Sequence, residues 1–417
     1  MPKHARLALW LVLVIMAASC APAATPPSQA PAATLQPVSD ELRSQLVGAD
    51  TRFAFRLFGE LVGQDAGKNV FISPVSVALA LAMTYNGARG ETQEAMAKTL
   101  ELTGMSLDEV NQASADLQSR LLNPEPRVQL TIANSLWARK GFPLLPEFVR
   151  RNRDYYGAEV NSLDFAARSA PATINDWVKK NTGGKIDKIV GDSISPRIVL
   201  LLINAIYFKA PWTVPFDIKA TQPGPFTLPD GQKLTVPLMR QAGKYQYYRG
   251  QGFQAVSLPY GEKQRVSLYI FLPDEGASLE QFYQGLSAES WARWMGEFKE
   301  AQGQIVLPRF KLQYEKSLND TLKALGMGIA FDPARADLHG ISDTREQLWI
   351  DEVKHKTVLE VHEEGTEAAA TTMVAIAVSA APGEPFTMVV DRPFFCAIHD
   401  NETGTVLFMG SIVRPEE

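Results

Sequence analysis

Between two apolar, strand-like runs, Thr357–Val361 and Phe386–Val390, lies a proline-free stretch from Glu363 to Ala381, EEGTEAAATTMVAIAVSAA. Turns and loops are normally punctuated by Gly, Pro, Asn and Asp. This stretch carries a single glycine, Gly365. Without proline, every residue keeps its backbone N–H and can join a sheet ladder on either edge. Small side chains come first (Thr366, Ala368, Ala369, Ala370, Thr371) and β-branched ones follow (Val374, Ile376, Val378). A connection this long inside a compact domain is either functional or disordered. Two readings follow: a flexible Ala/Thr-rich linker, or a loop built to convert into a strand.

The chain has 417 residues, 46% hydrophobic and 21% charged, so it can bury a sizeable core and is not globally disordered. Its formal net charge of −5 gives no support for broad nucleic-acid binding, which usually needs a basic face.

The first residues read as an export signal. Lys3, His4 and Arg6 precede an apolar run, Leu7–Ala18, which is too short for an ordinary membrane span. Ala17-Ala18-Ser19-Cys20 then resembles a bacterial lipoprotein cleavage site, with residues 1–19 removed and lipid attached at Cys20. Cleavage after Ala21-Pro22-Ala23 would instead release a secreted protein. Both place the folded part outside the cytoplasm, anchored to a membrane through lipid alone or not at all. Residues 20–45 begin rich in Ala and Pro and read as a semi-stiff tether, leaving 46–417 as one domain. With Cys20 lipidated, the other cysteine, Cys396, has no disulfide partner and reads as a buried, inert thiol.

From there the pattern is globular. Asp50–Val62 has apolar residues at helical spacing, and Ser73-Pro74 opens an apolar helix over Val75–Thr84. Glu91–Leu100 and Ala172–Asn181 also read as helices. Arg127–Ala138 alternates as a half-exposed strand, whereas Val199–Phe208 is continuously apolar, suited to a strand covered on both faces. Later come short strands at Val266–Leu272, Gln304–Leu307, Phe394–Ile398 and Thr405–Gly410. Helices at Leu279–Phe298 and Lys316–Leu325 lie among them. Helices gather early and strands late, so the class is α+β: early helices on a large mixed central sheet plus smaller sheets.

Several blocks now carry a family likeness. Asn69-Val70-Phe71-Ile72-Ser73-Pro74 is the first. Asn204-Ala205-Ile206-Tyr207-Phe208-Lys209 follows, with Trp212 and Pro215-Phe216. Then come His355-Lys356, Glu363-Glu364-Gly365-Thr366-Glu367-Ala368-Ala369-Ala370, Asp391-Arg392-Pro393-Phe394 and Phe408-Met409-Gly410. In this order, over roughly residues 46 to 415, the chain resembles a serpin, a metastable inhibitor of serine proteases. The resemblance implies an exposed reactive-centre loop that a protease cuts as an acyl-enzyme. The cut loop then enters the main sheet as a new strand and traps the enzyme, so the inhibitor works once and is not itself an enzyme.

The residues fit that scheme. Thr366, Ala368, Ala370 and Thr372 share one facing, small and uncharged, which would become buried. Glu367 falls on the opposite, solvent-facing side, and Gly365 supplies a pivot. Glu363 to Thr371 is thus the expected hinge. Family spacing from Gly365 places the bait bond at Ser379–Ala380, with Val378–Ser379 and Ala380–Ala381 as rivals. No Arg or Lys lies between Thr366 and Asp391, which argues against a trypsin-like target with an acidic pocket. Small residues suit an elastase-like or subtilisin-like protease; a papain-like cysteine protease also forms an acyl-enzyme.

By the same resemblance, Ser73, Ser76, Asn204 and His355 sit beneath the main sheet where its strands part. Trp212 and Glu363, with Arg309 as its partner, sit at the upper end. Capping, core polarity and a surface ion pair are the plain alternatives. His355 and His362 are seven apart, so on one strand they face opposite ways and share no metal. No G-x-S-x-G, phosphate loop, H-E-x-x-H or paired-cysteine site is present, so neither a cofactor nor hydrolase chemistry is expected. Scattered basic residues give no heparin-like activator site. The expectation is a monomeric inhibitor; a non-inhibitory protein of the same fold that binds a ligand is the alternative.

Overall fold

The computed structural model describes residues 37–195, 197–366 and 385–416. Its first helix, α1, spans Asp40–Gln64. Ser39 caps it by accepting a hydrogen bond from the Leu42 N–H, and Asp40 and Glu41 complement the helix dipole. The helix therefore takes in residues 40–45, which composition assigned to the tether. A three-residue strand, β1 (Val70–Ile72), leads through the Ser73 cap and Pro74 into α2 (Pro74–Tyr85), which is buried almost throughout. Two further helices, α3 (Gly90–Thr99) and α4 (Leu107–Leu121), complete the early group.

The half-exposed strand β2 (Gln129–Arg139) is followed by α5 (Pro146–Tyr156), β3 (Glu159–Leu163), α6 (Ala170–Asn181) and the apolar β4 (Leu200–Pro211). The chain then runs through β5 (Gln222–Thr227), β6 (Lys233–Gly250), β7 (Phe253–Pro259) and β8 (Val266–Pro273). The single helix expected over Leu279–Phe298 is two, α7 (Leu279–Gln284) and α8 (Ala288–Met295), because Gly285 ends one and a Ser287/Ser290 capping box starts the next. After β9 (Lys299–Pro308) and β10 (Phe310–Ser317), the helix expected from Lys316 is only α9 (Asn319–Leu322), followed by a wide turn to Met327. Strands β11 (Lys354–His362), β12 (Gly365–Thr366), β13 (Phe386–Val389), β14 (Phe394–Asp400) and β15 (Thr405–Ile412) close the chain.

The described strands form two mixed sheets, as the α+β reading requires. One has nine strands in the order β1-β15-β14-β8-β7-β6-β9-β13, with β5 joined to β6. The other has six, in the order β10-β11-β12-β4-β2-β3. Between them and the early helices lies a continuous apolar core that includes Phe53, Leu57, Phe71, Met83, Phe208, Phe310 and Phe394.

Candidate functional site

At the upper end of the six-stranded sheet, β12 is hydrogen-bonded on both edges. Val361 on β11 faces Thr366, which faces Ala210 on β4. Both neighbours run antiparallel to β12, so β4 and β11 run parallel to each other. Below β12, no pairing joins β4 to β11 among the described residues. Between the two strands below β12 lies a slot that no described strand fills, and a cavity of about 590 Å³ opens at its lower end, lined by Ser76, Val77, Leu200, Asn204, Val353 and His355 among others.

Gly365 could be nothing else in this position. Its φ is +145°, and a Cβ placed on it would lie 2.2 Å from the Ala210 carbonyl oxygen. Thr366 is buried, as its place in the alternation requires, and its Oγ1 lies 2.8 Å from the Tyr260 hydroxyl. Tyr260 is fully buried and stacks on Trp212 with ring centroids 4.4 Å apart. Such a pair contributes about 0.5–1.5 kcal/mol beyond its buried area.

Trp212 and Glu363 both lie at this end of the sheet. The Trp212 indole donates to the His362 carbonyl at 2.8 Å and its backbone N–H to the Glu364 carbonyl at 3.0 Å. Arg309 pairs with Glu363 at 2.6 Å, and the Thr221 hydroxyl donates to the same carboxylate oxygen at 2.7 Å. Burial pushes the Glu363 carboxyl up, but Arg309 and Thr221 more than offset it and hold it below the usual carboxylate range. With Glu363 only 4% exposed at its side chain, this is not the surface ion pair of the plain alternative.

At the lower end, Ser73, Ser76, Asn204 and His355 form one connected network. The Ser73 N–H donates to His355 Nε2 at 3.0 Å, and its hydroxyl donates to the Leu407 carbonyl at 2.7 Å. The Ser76 hydroxyl donates to Asn204 Oδ1, and Asn204 passes a bond to Asn134 at 2.6 Å. Asn134 reaches the Gln118 side chain at 3.0 Å and the Tyr156 carbonyl at 2.6 Å. His355 acts as an acceptor, which fits its chemistry: burial lowers its pKa from 6.5 to about 4. His362 lies on the other face of β11, so the two histidines do not meet.

Sequence reasoning missed Tyr260, Thr221, Asn134 and Gln118. Each matters through a contact remote in the chain, and none sits in a patterned motif. The hinge residues Glu367, Ala368, Ala369, Ala370 and Thr371 lie outside the described residues. So do the bait-bond residues Val378, Ser379, Ala380 and Ala381, and Cys20.

Comparison with known proteins bears on this geometry. Residues 48–415 match the family model described as Serpin (serine protease inhibitor). An uncharacterized serpin-like protein of Thermococcus kodakarensis is 38% identical, covering 89% of this chain and 86% of its own. Leukocyte elastase inhibitor of Bos taurus is 37% identical, covering 89% of this chain and all of its own. The crystal structure of a thermophilic serpin, tengpin, in the native state superposes with a TM-score of 0.82 at 33% identity, covering 91% of this chain and 95% of tengpin.

Proposed function

The chain belongs to the serpin family, and from that premise we propose that it is a single-use inhibitor of extracellular serine proteases of elastase-like or subtilisin-like specificity. Its relatives support protease inhibition as the general activity. The observation that carries the finer reading is β12: two hinge residues already paired between β11 and β4, above a slot with no described strand in it.

Continued antiparallel, the β12 register would set Ala368 opposite Leu359 and Phe208, and Thr372 opposite His355 and Asn204. The inward positions are those that carry no charge, so the segment can be buried without leaving an unpaired ion. Cleavage frees the segment from its anchor at β13 and lets pairing and burial drive it into the slot. The protease held as an acyl-enzyme on Ser379 is carried with it. Serine proteases are the expected partners, with papain-like cysteine proteases as a further class. The small residues around Ser379–Ala380, together with the name of the bovine relative, favour an elastase-like enzyme.

The test is incubation with porcine pancreatic elastase. An SDS-resistant complex should form, mass spectrometry should place the cut at Ser379–Ala380 or an adjacent bond, and cut protein should melt well above intact protein. Plain cleavage with no complex and no gain in melting temperature would overturn the reading in favour of a non-inhibitory binding protein.

We further propose export through residues 1–19, lipid attachment at Cys20 and a monomeric inhibitor tethered at the cell surface. Radiolabelled palmitate should enter the wild-type chain and not Cys20→Ala. Label in neither would point to secretion.

A further inference from the structure

The turn that leads from α4 into β2 meets the turn between β7 and β8 beside the seat of Thr366, and one carboxylate joins them. Glu125 is buried, and its Oε2 accepts from the Glu262 and Lys263 N–H groups at 2.9 and 2.8 Å. Successive N–H groups of a turn make a concavity suited to an anion. Gly261 keeps that concavity open: its φ is +66°, and a Cβ there would lie 2.5 Å from the Glu125 carboxyl carbon. The other oxygen, Oε1, is buried with no hydrogen-bond partner among the described residues.

Backbone strain gathers around this contact. Among the described residues, four other than glycine have a positive φ, and three of them flank it: Asn123 and Arg127 on one turn, Gln264 on the other. Such backbone persists only where the surroundings hold it, and it clusters at sites of function. A buried oxygen without a partner likewise calls for a reason.

The contact adjoins the residues that hold the hinge. Tyr260, whose hydroxyl meets Thr366 Oγ1, directly precedes Gly261. The Gly261 N–H donates to the carbonyl of Pro211, the last residue of β4, at 2.9 Å, and the Thr213 hydroxyl donates to the Gly261 carbonyl. Shortly after Glu125, Gln129 opens β2 opposite Lys209 on β4. The β7–β8 turn is thus fastened on one side to the end of β4 and on the other, through Glu125, to the approach to β2.

We infer that Glu125 is a positioning residue for strand entry: it locks the Tyr260–Trp212 seat to the β2–β4 side of the slot and so keeps Thr366 opposite Ala210 while the segment behind it pairs. The inference rests on the strand-insertion reading above. The pairing that follows Thr366 is only as steady as the seat that holds it. Hydrogen bonds to an ionised acceptor are stronger than neutral ones, so two of them on adjacent N–H groups hold the turn firmly. A loosened seat slows entry, and slow entry leaves the acyl bond open to water for longer.

Hydrogen exchange on uncut protein tests the lock alone. In Glu125→Ala the Gly365 and Thr366 amides should exchange on the order of tenfold faster, whereas Glu125→Gln, which keeps an acceptor oxygen, should recover most of the wild-type protection. Glu125→Asp withdraws the carboxylate by one methylene and should change the rate in the same direction by less. It carries the comparison should the alanine variant fail to fold. Unchanged exchange in these variants overturns the lock. Titration against porcine pancreatic elastase then tests its role. Glu125→Ala should be cut at the wild-type rate, yet about three times as many inhibitor molecules should be consumed per enzyme inactivated, with Glu125→Gln close to the wild type. Faster exchange with unchanged consumption overturns the role. Ser342→Ala, which removes another buried hydrogen bond between loops, to the Pro143 carbonyl, should match the wild type in both measurements. If it shifts as Glu125→Ala does, the effect is one of general stability and the role is overturned. Should wild-type protein form no SDS-resistant complex and gain no melting temperature when cut, the insertion reading falls, while the exchange result still decides the lock.

Discussion

The Tyr260 hydroxyl lies 2.8 Å from Thr366 Oγ1, in a contact that joins residues 106 positions apart and is wholly buried. It fixes the last described hinge residue to the ring that also supports Trp212. Tyr260→Phe removes the bond and leaves the threonine hydroxyl without this partner, at an expected cost of about 1–2 kcal/mol in urea denaturation. A cost below the error of that measurement would mean Thr366 finds another partner.

Thr366→Arg puts a guanidinium at a residue that is 1% exposed. Burying an unpaired charge is far costlier than losing a hydroxyl, so β12 should be expelled from the sheet. The expected result is a chain that elastase cuts without forming an SDS-resistant complex. Full inhibition by this variant would exclude insertion at that position.

Gly365→Ala meets both a positive φ and a Cβ 2.2 Å from the Ala210 carbonyl oxygen. The backbone must move, at roughly 1–3 kcal/mol. Equilibrium unfolding should show the loss. A variant as stable as the wild type would indicate that β12 leaves the sheet without penalty.

The Arg309–Glu363 pair is unevenly exposed, 42% against 4% at the side chains. Removing each partner should therefore have unequal effects. Arg309→Ala leaves a buried carboxylate without its cation and should cost roughly 1–3 kcal/mol more than Glu363→Gln, which leaves a cation that can reach water. Equal losses in chemical denaturation would show that Thr221 alone satisfies Glu363.

His355 sets a pH dependence. Its pKa falls from 6.5 to about 4 on burial, so the unfolded chain binds a proton first as pH drops. Its contribution is complete above about pH 6.5 and is lost on the way down to about 4, to a total of about 3 kcal/mol. Asp50 acts in the opposite sense, because burial raises its carboxyl from 3.8 to about 7 and the folded chain there holds the extra proton. The difference in unfolding free energy between wild type and His355→Gln isolates the histidine. It should shrink by about 3 kcal/mol from pH 7 to pH 4. A difference independent of pH would show that the imidazole titrates normally.

Much of the fold was legible where local chemistry is decisive. Ser73-Pro74 marked the start of α2, and the unbroken apolar run marked β4. The start of α1 was hidden because its first turns are mostly polar and bury little before Leu46 and Ala49. Helix α4 was missed despite a complete Ser106/Glu109 capping box, whose sequence signature is as short as many chance matches. The site divided along the same line. Residues in a patterned block, such as Gly365 and His355, were readable. Tyr260 and Asn134 were not, because folding alone brings them to Thr366 and Asn204.

The two-residue strand β12 has one more consequence. Starting a ladder between two parallel edges ordinarily requires a search over alignments, and a one-place slip turns every side chain to the wrong face. With Thr366 held between Val361 and Ala210, that search is already over. Whatever is added after it can grow in only one direction and one phase, as a polymer extends from a primer.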